Sequence, residues 1–218
     1  MRNLISSPET FADSVAPAVA EGSQTEHGQR PGAKRCFDTA LALALCLLAL
    51  PLMIVLAILI RATSKGPALH WSERIGRENR IFRMPKLRTM RIDTPQLATH
   101  LLAEAQRYLT PIGSFLRRSS LDELPQLFSI LSGDLSFVGP RPALFNQTDL
   151  VTLRTELGIH RLAPGLTGWA QVNGRDEIPM TRKVQLDYEY LQRRSFKFDL
   201  RIMALTLVTV MRHEGVKH

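Results

Sequence analysis

The sequence predicts a mostly helical α+β fold: a monotopic membrane protein with a re-entrant N-terminal membrane helix, amphipathic interfacial helices and one small β-hairpin. Three observations predict it. An uncharged stretch covers residues 40–60, short alternating runs follow from Ala68 to Met90, and helical apolar patterns dominate the rest. These patterns divide the 218 residues into a disordered tail (1–33), the membrane helix (34–65) and a cytoplasmic domain with interfacial helices (66–218).

The N-terminal tail is polar and poor in aromatic residues, a composition typical of disorder. It carries two basic and four acidic side chains, so 26 of the 28 basic and 16 of the 20 acidic residues fall in the remainder. Such a basic surface suits polyanions: nucleic acid, anionic lipid headgroups or phosphorylated small molecules. Charge alone does not choose among these partners.

The apolar segment Cys36–Ile60 has the length of a membrane-crossing helix and is too uniformly apolar for a surface helix. Basic residues flank both of its ends, with Lys34 and Arg35 before it and Arg61 and Lys65 after it. The positive-inside rule therefore places both ends in the cytoplasm. Because Pro51 near the middle removes a backbone donor, we expect a re-entrant helix that bends there. A kinked spanning helix is the alternative.

The elements that follow are predicted from local patterns. The runs between Ala68 and Met90 predict a strand pair with its turn at Gly76–Asn79. Helical patterns cover 94–109, 111–118, 183–191 and 196–211, and residues 137–142 and 163–175 are Gly/Pro-rich connectors. The last helix either lies in the membrane interface or packs in the core.

The clearest local signal begins at Ser120, which forms the pattern of a capping box with Glu123. An apolar stripe follows and Gly133 is a natural stop, so we expect a helix of about three turns. Pro125 is expected to hold the first turn in an irregular geometry. Asp122 and Glu123 would lie at the positive end of this helix, where acidic residues also occur simply as caps.

Basic residues in stiff sequence contexts make a catalytic role for this acidic pair more plausible than capping alone. Arg117 and Arg118 precede the pair, Lys86 and Arg88 lie in a Lys-Leu-Arg-Thr-Met run, Arg141 lies between two prolines, and Arg175 follows an Asn-Gly turn. Cations ordered in advance suit a site that binds phosphates, although Arg141 and Arg175 could equally form surface ion pairs. Adjacent helical residues point about 100° apart, so Asp122 and Glu123 can take different roles. One carboxylate can attack phosphorus while the other holds Mg²⁺.

Other chemically notable residues have ordinary explanations. Cys36 and Cys46 would lie roughly 15 Å apart on one helix, too far for a disulfide. Neither they nor the six histidines have zinc-ligand spacing, so no transition-metal site is expected. Asp38 is interpreted as a helix cap or as the partner of a basic residue. Trp169 is interpreted as a packing residue, with stacking on uracil as the alternative.

Five runs of the sequence, in order, resemble those of the bacterial sugar transferases, the small monotopic phosphoglycosyl transferases. They are KRCFD (34–38), KLRTM (86–90), RRSSLDELPQ (117–126), GDLSFVGPRP (133–142) and PGLTGWAQVNGR (164–175). The resemblance covers the chain from Lys34 to its C-terminus, and an ordered set of motifs is far more specific than any one of them.

The resemblance implies an enzyme at the cytoplasmic face of the bacterial inner membrane. Such enzymes transfer a sugar 1-phosphate from a UDP-sugar to undecaprenyl phosphate and release UMP, through a covalent aspartyl intermediate, as the first membrane step of polysaccharide or glycoconjugate assembly. The matching motifs imply that Asp122 is the nucleophile and that Glu123 helps to hold Mg²⁺. They imply phosphate binding by Lys86, Arg117, Arg141 and Arg175. The family often has serine before the proline of the membrane bend, whereas Leu50 precedes Pro51 here.

Two other functions stay open on sequence grounds. A membrane-tethered nucleic-acid-binding protein would also be basic, but the chain has no interleaved aromatics or recognisable reading helix. A noncatalytic scaffold of a polysaccharide-assembly complex would use neither magnesium nor a UDP-sugar. The sequence does not identify the sugar, the pathway, or whether the chain forms homo-oligomers or assembles with downstream glycosyltransferases.

Overall fold

The computed structural model describes residues 31–94, 105–174 and 178–211. Helix α1 spans Pro31–Thr63 and has a long apolar window with few charges. It is the only helix of the described segments that is long and apolar enough to cross a membrane. The predicted membrane helix is therefore confirmed as an apolar helix, and it begins within the predicted tail. Helical backbone continues through Pro51, so the bend there stays a prediction.

Buried residues recur along one face of α1: Ala42, Cys46, Met53, Leu56 and Ile60. Their spacing keeps them within a narrow stripe of a 3.6-residue helix. The first two join the main core, while Leu56 and Ile60 pack with Leu87 and Leu116. Leucines such as Leu47 and Leu48 on the other side are exposed, so a large apolar surface of α1 is left for another environment.

The two ends of α1 are fastened to the same domain. Near its start, Arg35 donates hydrogen bonds to the carbonyl oxygens of Ile130 and Leu131. Just after its end, Ser64 accepts from the buried Arg88, whose Nη2 lies 2.7 Å from Oγ and 3.0 Å from the carbonyl oxygen of Ser64. A helix with both ends on one side of a membrane requires this placement. The re-entrant course itself stays a prediction.

The predicted hairpin is confirmed. Strand β1 (Leu69–Ile75) pairs antiparallel with β2 (Ile81–Leu87), and Arg77–Asn79 form a 3-10 turn between them. Directly opposed residues share one face of a strand pair, so His70 and Lys86 lie on the same side as Ser72 and Met84. Because Met84 is buried in the main core, this side of the hairpin faces the rest of the domain.

Short elements follow the hairpin. They are a 3-10 turn at Ala105–Tyr108, α2 (Gly113–Arg118), a 3-10 turn at Leu121–Glu123, α3 (Gln126–Ser132) and β3 (Ser136–Val138). The predicted 94–109 helix falls largely on residues outside the described ones, and its last part forms the 3-10 turn instead of an α-helix. Gly133 ends α3 with a φ of 96°, as its sequence position predicted.

The C-terminal half adds α4 (Thr148–Glu156), a 3-10 turn at Ile159–Arg161, β4 (Gly165–Thr167), α5 (Trp169–Val172), α6 (Met180–Arg193) and α7 (Phe196–Met211). Strands β3 and β4 pair in parallel, so two stretches predicted as connectors contain a small sheet. Helix α7 has the predicted limits. Its Phe198 and Ile202 are buried in the main core, while Leu200 and Leu207 on other faces are exposed.

Polar contacts join the start of α1 to this core. Asp38 is buried and accepts a hydrogen bond from Ser136 Oγ at 2.7 Å. It lies inside the helix and pairs with a hydroxyl, so both parts of its interpretation, as a cap or as the partner of a basic residue, were wrong. Lys34 pairs with Asp199 on α7 at 2.6 Å, and Asp199 also accepts from the Tyr190 hydroxyl at 2.8 Å.

Candidate active site

The acidic pair lies in a 3-10 turn. Ser120 has a left-handed backbone, with φ of 56°, and its side chain makes no capping hydrogen bond. The predicted capping box and continuous helix from Ser120 were therefore wrong. Pro125 supplies the physical reason: it has no N–H with which to continue an α-helix, and the chain instead forms the tighter bond from Leu124 N to Leu121 O. The irregular geometry expected from Pro125 is confirmed.

Glu123 is held by two cations. Lys86 Nζ lies 3.3 Å, and Arg141 Nη2 3.2 Å, from the same oxygen, Oε1. Burial opposes ionisation of this carboxyl, but the charges and hydrogen bonds of the two cations outweigh burial and lower the pKa of Glu123 to about 2. Glu123 is therefore ionised at neutral pH, and it orders two side chains from different parts of the chain.

Asp122 has the opposite environment. Only 8% of the residue is exposed, and no other described side chain donates a hydrogen bond to its carboxylate. Burial raises the pKa of Asp122 to about 6, with a further upward push from Glu123, while Lys86 and Arg117 act in the other direction. The neighbouring carboxyls thus have well-separated pKa values, a pattern that assigns different roles to two acids.

Arg117 approaches the pair from the last turn of α2. Its Nε donates to Thr89 Oγ1 at 3.0 Å, just beyond the end of β2. Gly113 allows this approach, because a Cβ there would lie 2.2 Å from the carbonyl oxygen of Thr89. Close contact between α2 and the end of β2 therefore brings the Arg117 charge toward Asp122.

Arg141 reaches the site from a rigid segment after β3. Its neighbours Pro140 and Pro142 have fixed φ values, and the carbonyl oxygen of Pro140 accepts a hydrogen bond from Gly165 N at 2.9 Å. A Cβ on Gly139 would lie 2.4 Å from the carbonyl oxygen of Ala163, so the segments after β3 and before β4 approach too closely for any residue larger than glycine at position 139. The parallel β3–β4 pair thereby fixes the position of the Arg141 backbone.

The family of the chain follows from comparison with known proteins. Residues 29–213 match the family described as bacterial sugar transferase. The chain belongs to this family. A glucose-1-phosphate transferase of Xanthomonas campestris pv. campestris, named for UDP-glucose and undecaprenyl phosphate, is 40% identical over 187 residues, which are 82% of this chain and 39% of that protein. The uncharacterized sugar transferase EpsL of Bacillus subtilis is 39% identical, covering 84% of this chain and 90% of EpsL.

Other relatives in the bacterial sugar transferase family carry different sugars in their names. The undecaprenyl-phosphate galactose phosphotransferase of Salmonella typhimurium is 32% identical over 84% of this chain and 41% of its own length. The chain thus spans well under half of the Xanthomonas and Salmonella relatives and nearly all of EpsL.

The predicted site residues of this bacterial sugar transferase divide into three groups. Asp122, Glu123, Lys86, Arg117 and Arg141 lie together. Arg175 lies outside the described residues, so its predicted role is not tested. Arg88 had been grouped with the phosphate-binding cations, but it is 5% exposed and its guanidinium is engaged at the end of α1. Its role is therefore to fasten that helix.

Two residues at the site were missed from the sequence. Thr89, which orients Arg117, lies within the Lys-Leu-Arg-Thr-Met run but carries no charge to draw attention. His70 lies directly opposite Lys86 in the hairpin. The residue is exposed, and partial desolvation, followed by the charges of Lys86 and Arg74, lowers the pKa of His70. The hairpin register would have revealed His70 by counting back from the turn.

The acidic pair offers a magnesium ion one carboxylate ligand, Glu123. Within residues 31–94, 105–174 and 178–211, no group of three or more His, Cys, Asp or Glu could hold a metal ion by itself. Magnesium, however, uses one or two protein carboxylates and takes its other oxygens from water and substrate phosphates. Both cations bond to Oε1 of Glu123, and among the described residues Oε2 accepts no hydrogen bond. Glu123 therefore stays the candidate ligand.

Proposed function

We propose that this chain transfers a sugar 1-phosphate from a UDP-sugar to undecaprenyl phosphate and releases UMP. One observation carries the proposal: Asp122 is buried and accepts no side-chain hydrogen bond from the described residues, beside a carboxylate that holds two cations. A carboxylate of raised pKa that accepts no such bond keeps its nucleophilic lone pairs available, and the nearby cations suit the phosphates that it would attack. The names of the Xanthomonas and Salmonella relatives describe the same class of reaction.

In the first step, a carboxylate oxygen of Asp122 attacks the sugar-bearing β-phosphorus of the donor. The bond from that phosphorus to the bridging oxygen breaks, UMP leaves with the bond electrons, and an acyl phosphate joins the sugar phosphate to Asp122. In the second step, an oxygen of undecaprenyl phosphate attacks the same phosphorus, the bond from that phosphorus to the Asp122 oxygen breaks, and the Asp122 carboxylate is restored with the bond electrons. The kinetics of such a sequence are ping-pong.

The cations stabilise charge in both steps. Lys86 and Arg141 lie at the acidic pair and can bind phosphoryl oxygens as negative charge develops on the departing UMP. Arg117, oriented by Thr89, supplies a third positive charge on the Asp122 side. A magnesium ion held by Glu123 and the donor diphosphate would neutralise further charge. Arg175 is proposed as an additional phosphate ligand from its motif alone.

We place the reaction at the cytoplasmic face of the inner membrane. The acceptor is a lipid phosphate, and α1 carries a long row of exposed leucines that would lie in the bilayer. Basic residues at both ends of α1 favour the cytoplasmic side. The sugar is left undetermined, because relatives of similar identity name glucose, galactose and N-acetylgalactosamine.

The test is a donor panel with detergent-solubilised protein, undecaprenyl phosphate and Mg²⁺, in which UMP release is measured. One UDP-sugar should support turnover, and intact-protein mass spectrometry without acceptor should detect a sugar-phosphate adduct on the peptide containing Asp122. Asp122→Asn should lose more than roughly 10³-fold in rate. Asp134→Asn is the matched control, since Asp134 is an exposed acid that accepts a hydrogen bond from Ser132 Oγ.

Three results would contradict the proposal. UMP release by Asp122→Asn at the wild-type rate would remove Asp122 as nucleophile. Full turnover in the presence of EDTA would show that the reaction does not need magnesium. Absence of UMP with every donor, together with salt-sensitive retention of DNA or RNA, would favour the nucleic-acid alternative, and absence of both would favour a scaffold.

A further inference from the structure

A buried ion pair lies behind the active site and outside the set of residues described so far. Arg154 on α4 donates from Nε and Nη2 to Oδ2 of Asp187 on α6, at 3.0 and 2.6 Å. The side chains are only 9% and 2% exposed. The third guanidinium nitrogen, Nη1, donates to the carbonyl oxygen of Arg141 at 2.8 Å. A single arginine therefore connects two helices to the backbone of a site residue.

The carbonyl of Arg141 is an important attachment point because of its neighbours. Pro140 and Pro142 have no N–H, so this stretch is held mainly through its carbonyl oxygens. Those of Pro140 and Pro142 accept from Gly165 N at 2.9 Å and from Arg74 Nη1 at 3.3 Å. The Arg141 carbonyl between them accepts from Arg154. Three consecutive carbonyls are thus fixed by three different parts of the fold.

We infer that Arg154 and Asp187 form a positioning unit that fixes the Arg141 backbone, so that the Arg141 guanidinium stays on Glu123. The inference rests on the proposed function. Asp187 orients the arginine through two bonds, and the remaining donor of that arginine holds the segment carrying the site cation. Among the described residues Arg154 makes no hydrogen bond to Asp122 or Glu123, and its connection to the site is the bond to the Arg141 carbonyl.

Stability alone does not account for this arrangement. Apolar side chains of similar size commonly replace a buried ion pair with no loss of stability, because the desolvation of both charges offsets their attraction. A misplacement of about 1 Å in a catalytic group, in contrast, can cost a factor of about 100 in rate. The functional consequence of losing the pair is therefore expected to exceed the consequence for folding.

The test is a double-mutant cycle on UMP release. The paired variant Arg154→Met/Asp187→Leu removes both charges and leaves no unpaired partner. It should keep its thermal midpoint within a few degrees and lose roughly 10- to 100-fold in kcat/KM for the donor. In an Arg141→Ala background the same pair should cost less than about twofold, because its effect passes through Arg141. An equal loss in both backgrounds would overturn the inference.

A second variant covers the case in which the paired variant does not fold. Arg154→Lys keeps the charge pair with Asp187, but a flexible ammonium replaces the rigid planar fork that bonds Asp187 through two nitrogens and the Arg141 carbonyl through a third. The kcat/KM of this variant for the donor should also fall at least about tenfold. The matched control is Thr155→Val, at the next position of α4. It removes the hydrogen bond that Thr155 Oγ1 accepts from Asn79, and this bond does not involve Arg141. Its activity should stay within about twofold of the parent.

Hydrogen exchange separates this inference from the proposed function. Amides of residues 139–145 should exchange at least about tenfold faster in Arg154→Lys than in the parent or in Thr155→Val, with no donor present. If the parent releases no UMP with any donor, the proposed function fails and this measurement still decides the positioning role. Unchanged exchange in that segment would overturn it.

Discussion

Replacing Asp122 by asparagine should make the protein more stable at alkaline pH as well as inactive. The pKa of the Asp122 carboxyl rises from 3.8 to about 6, chiefly because the folded chain buries it. The folded state therefore binds a proton more tightly than the unfolded state. Above pH 6 the folded protein must hold a desolvated charge, and this cost reduces its stability; below pH 3.8 both states are protonated and the cost vanishes.

The size of this effect follows from the shift. About two pKa units correspond to about 3 kcal/mol at pH 8, and the same relation leaves only about 0.5 kcal/mol at pH 4. Asparagine is close in shape and carries no charge, so Asp122→Asn should recover most of that difference. For a chain of this size, we expect a rise in thermal midpoint of roughly 5–10 °C at pH 8 and almost none at pH 4.

The assay is thermal unfolding of both proteins in the same detergent at pH 4, 6 and 8, followed by circular dichroism. Asp134→Asn, at an exposed site, should change the midpoint by less than about 1 °C at every pH. An unchanged midpoint for Asp122→Asn at pH 8 would refute the claim that burial raises the pKa of Asp122. A gain of equal size at pH 4 would point to a packing effect instead of a charge effect.

Further predictions concern the neighbours of Asp122 and the end of α1. The rate of UMP release should rise with pH through a midpoint near 6, as Asp122 ionises, and reach a plateau above it, which a pH–rate profile measures. Glu123→Gln should move the midpoint of residual activity to lower pH, since Glu123 raises the pKa of Asp122, whereas Lys86→Met should move it to higher pH; shifts in the same direction would contradict the assigned charges. Gly66→Ala should lower the free energy of unfolding by about 1–3 kcal/mol in a denaturant titration, because Gly66 has a φ of 109° and a Cβ would lie 2.3 Å from Arg88 Nη1; wild-type stability would show that this contact is relaxed.

Elements with strong local signals were predictable from the sequence. The hairpin was found from alternation and a turn, and α7 from a long apolar helical pattern. Strands β3 and β4 were missed because each has three residues, too few for alternation, and they pair across nearly thirty positions of sequence. Helix α4 was missed because the charged Arg154 lies on the same face as Leu150 and Leu153 and interrupts their apolar stripe.

The candidate site was partly predictable for a similar reason. Charged residues in stiff contexts identified Lys86, Arg117 and Arg141, and the structure brings all three to the acidic pair. The 3-10 turn was not predicted, because Ser120 and Glu123 match a capping box whose geometry Pro125 prevents. Arg88 lies just beyond the end of β2, where Ser64 at the end of α1 accepts its hydrogen bonds and buries it, and the local run does not indicate that contact.

The attachment of both ends of α1 has a consequence for how the domain is oriented. A domain joined to an anchor by one flexible connection can rotate and sample many distances from it. Here Arg35 holds the beginning of the helix and Arg88 holds its end. These two separated attachments, together with the contacts along the buried stripe, prevent the domain from rotating relative to α1. Asp122 consequently stays at a fixed distance from the surface that receives the exposed leucines, so in the proposed reaction the acceptor has to move to the aspartate.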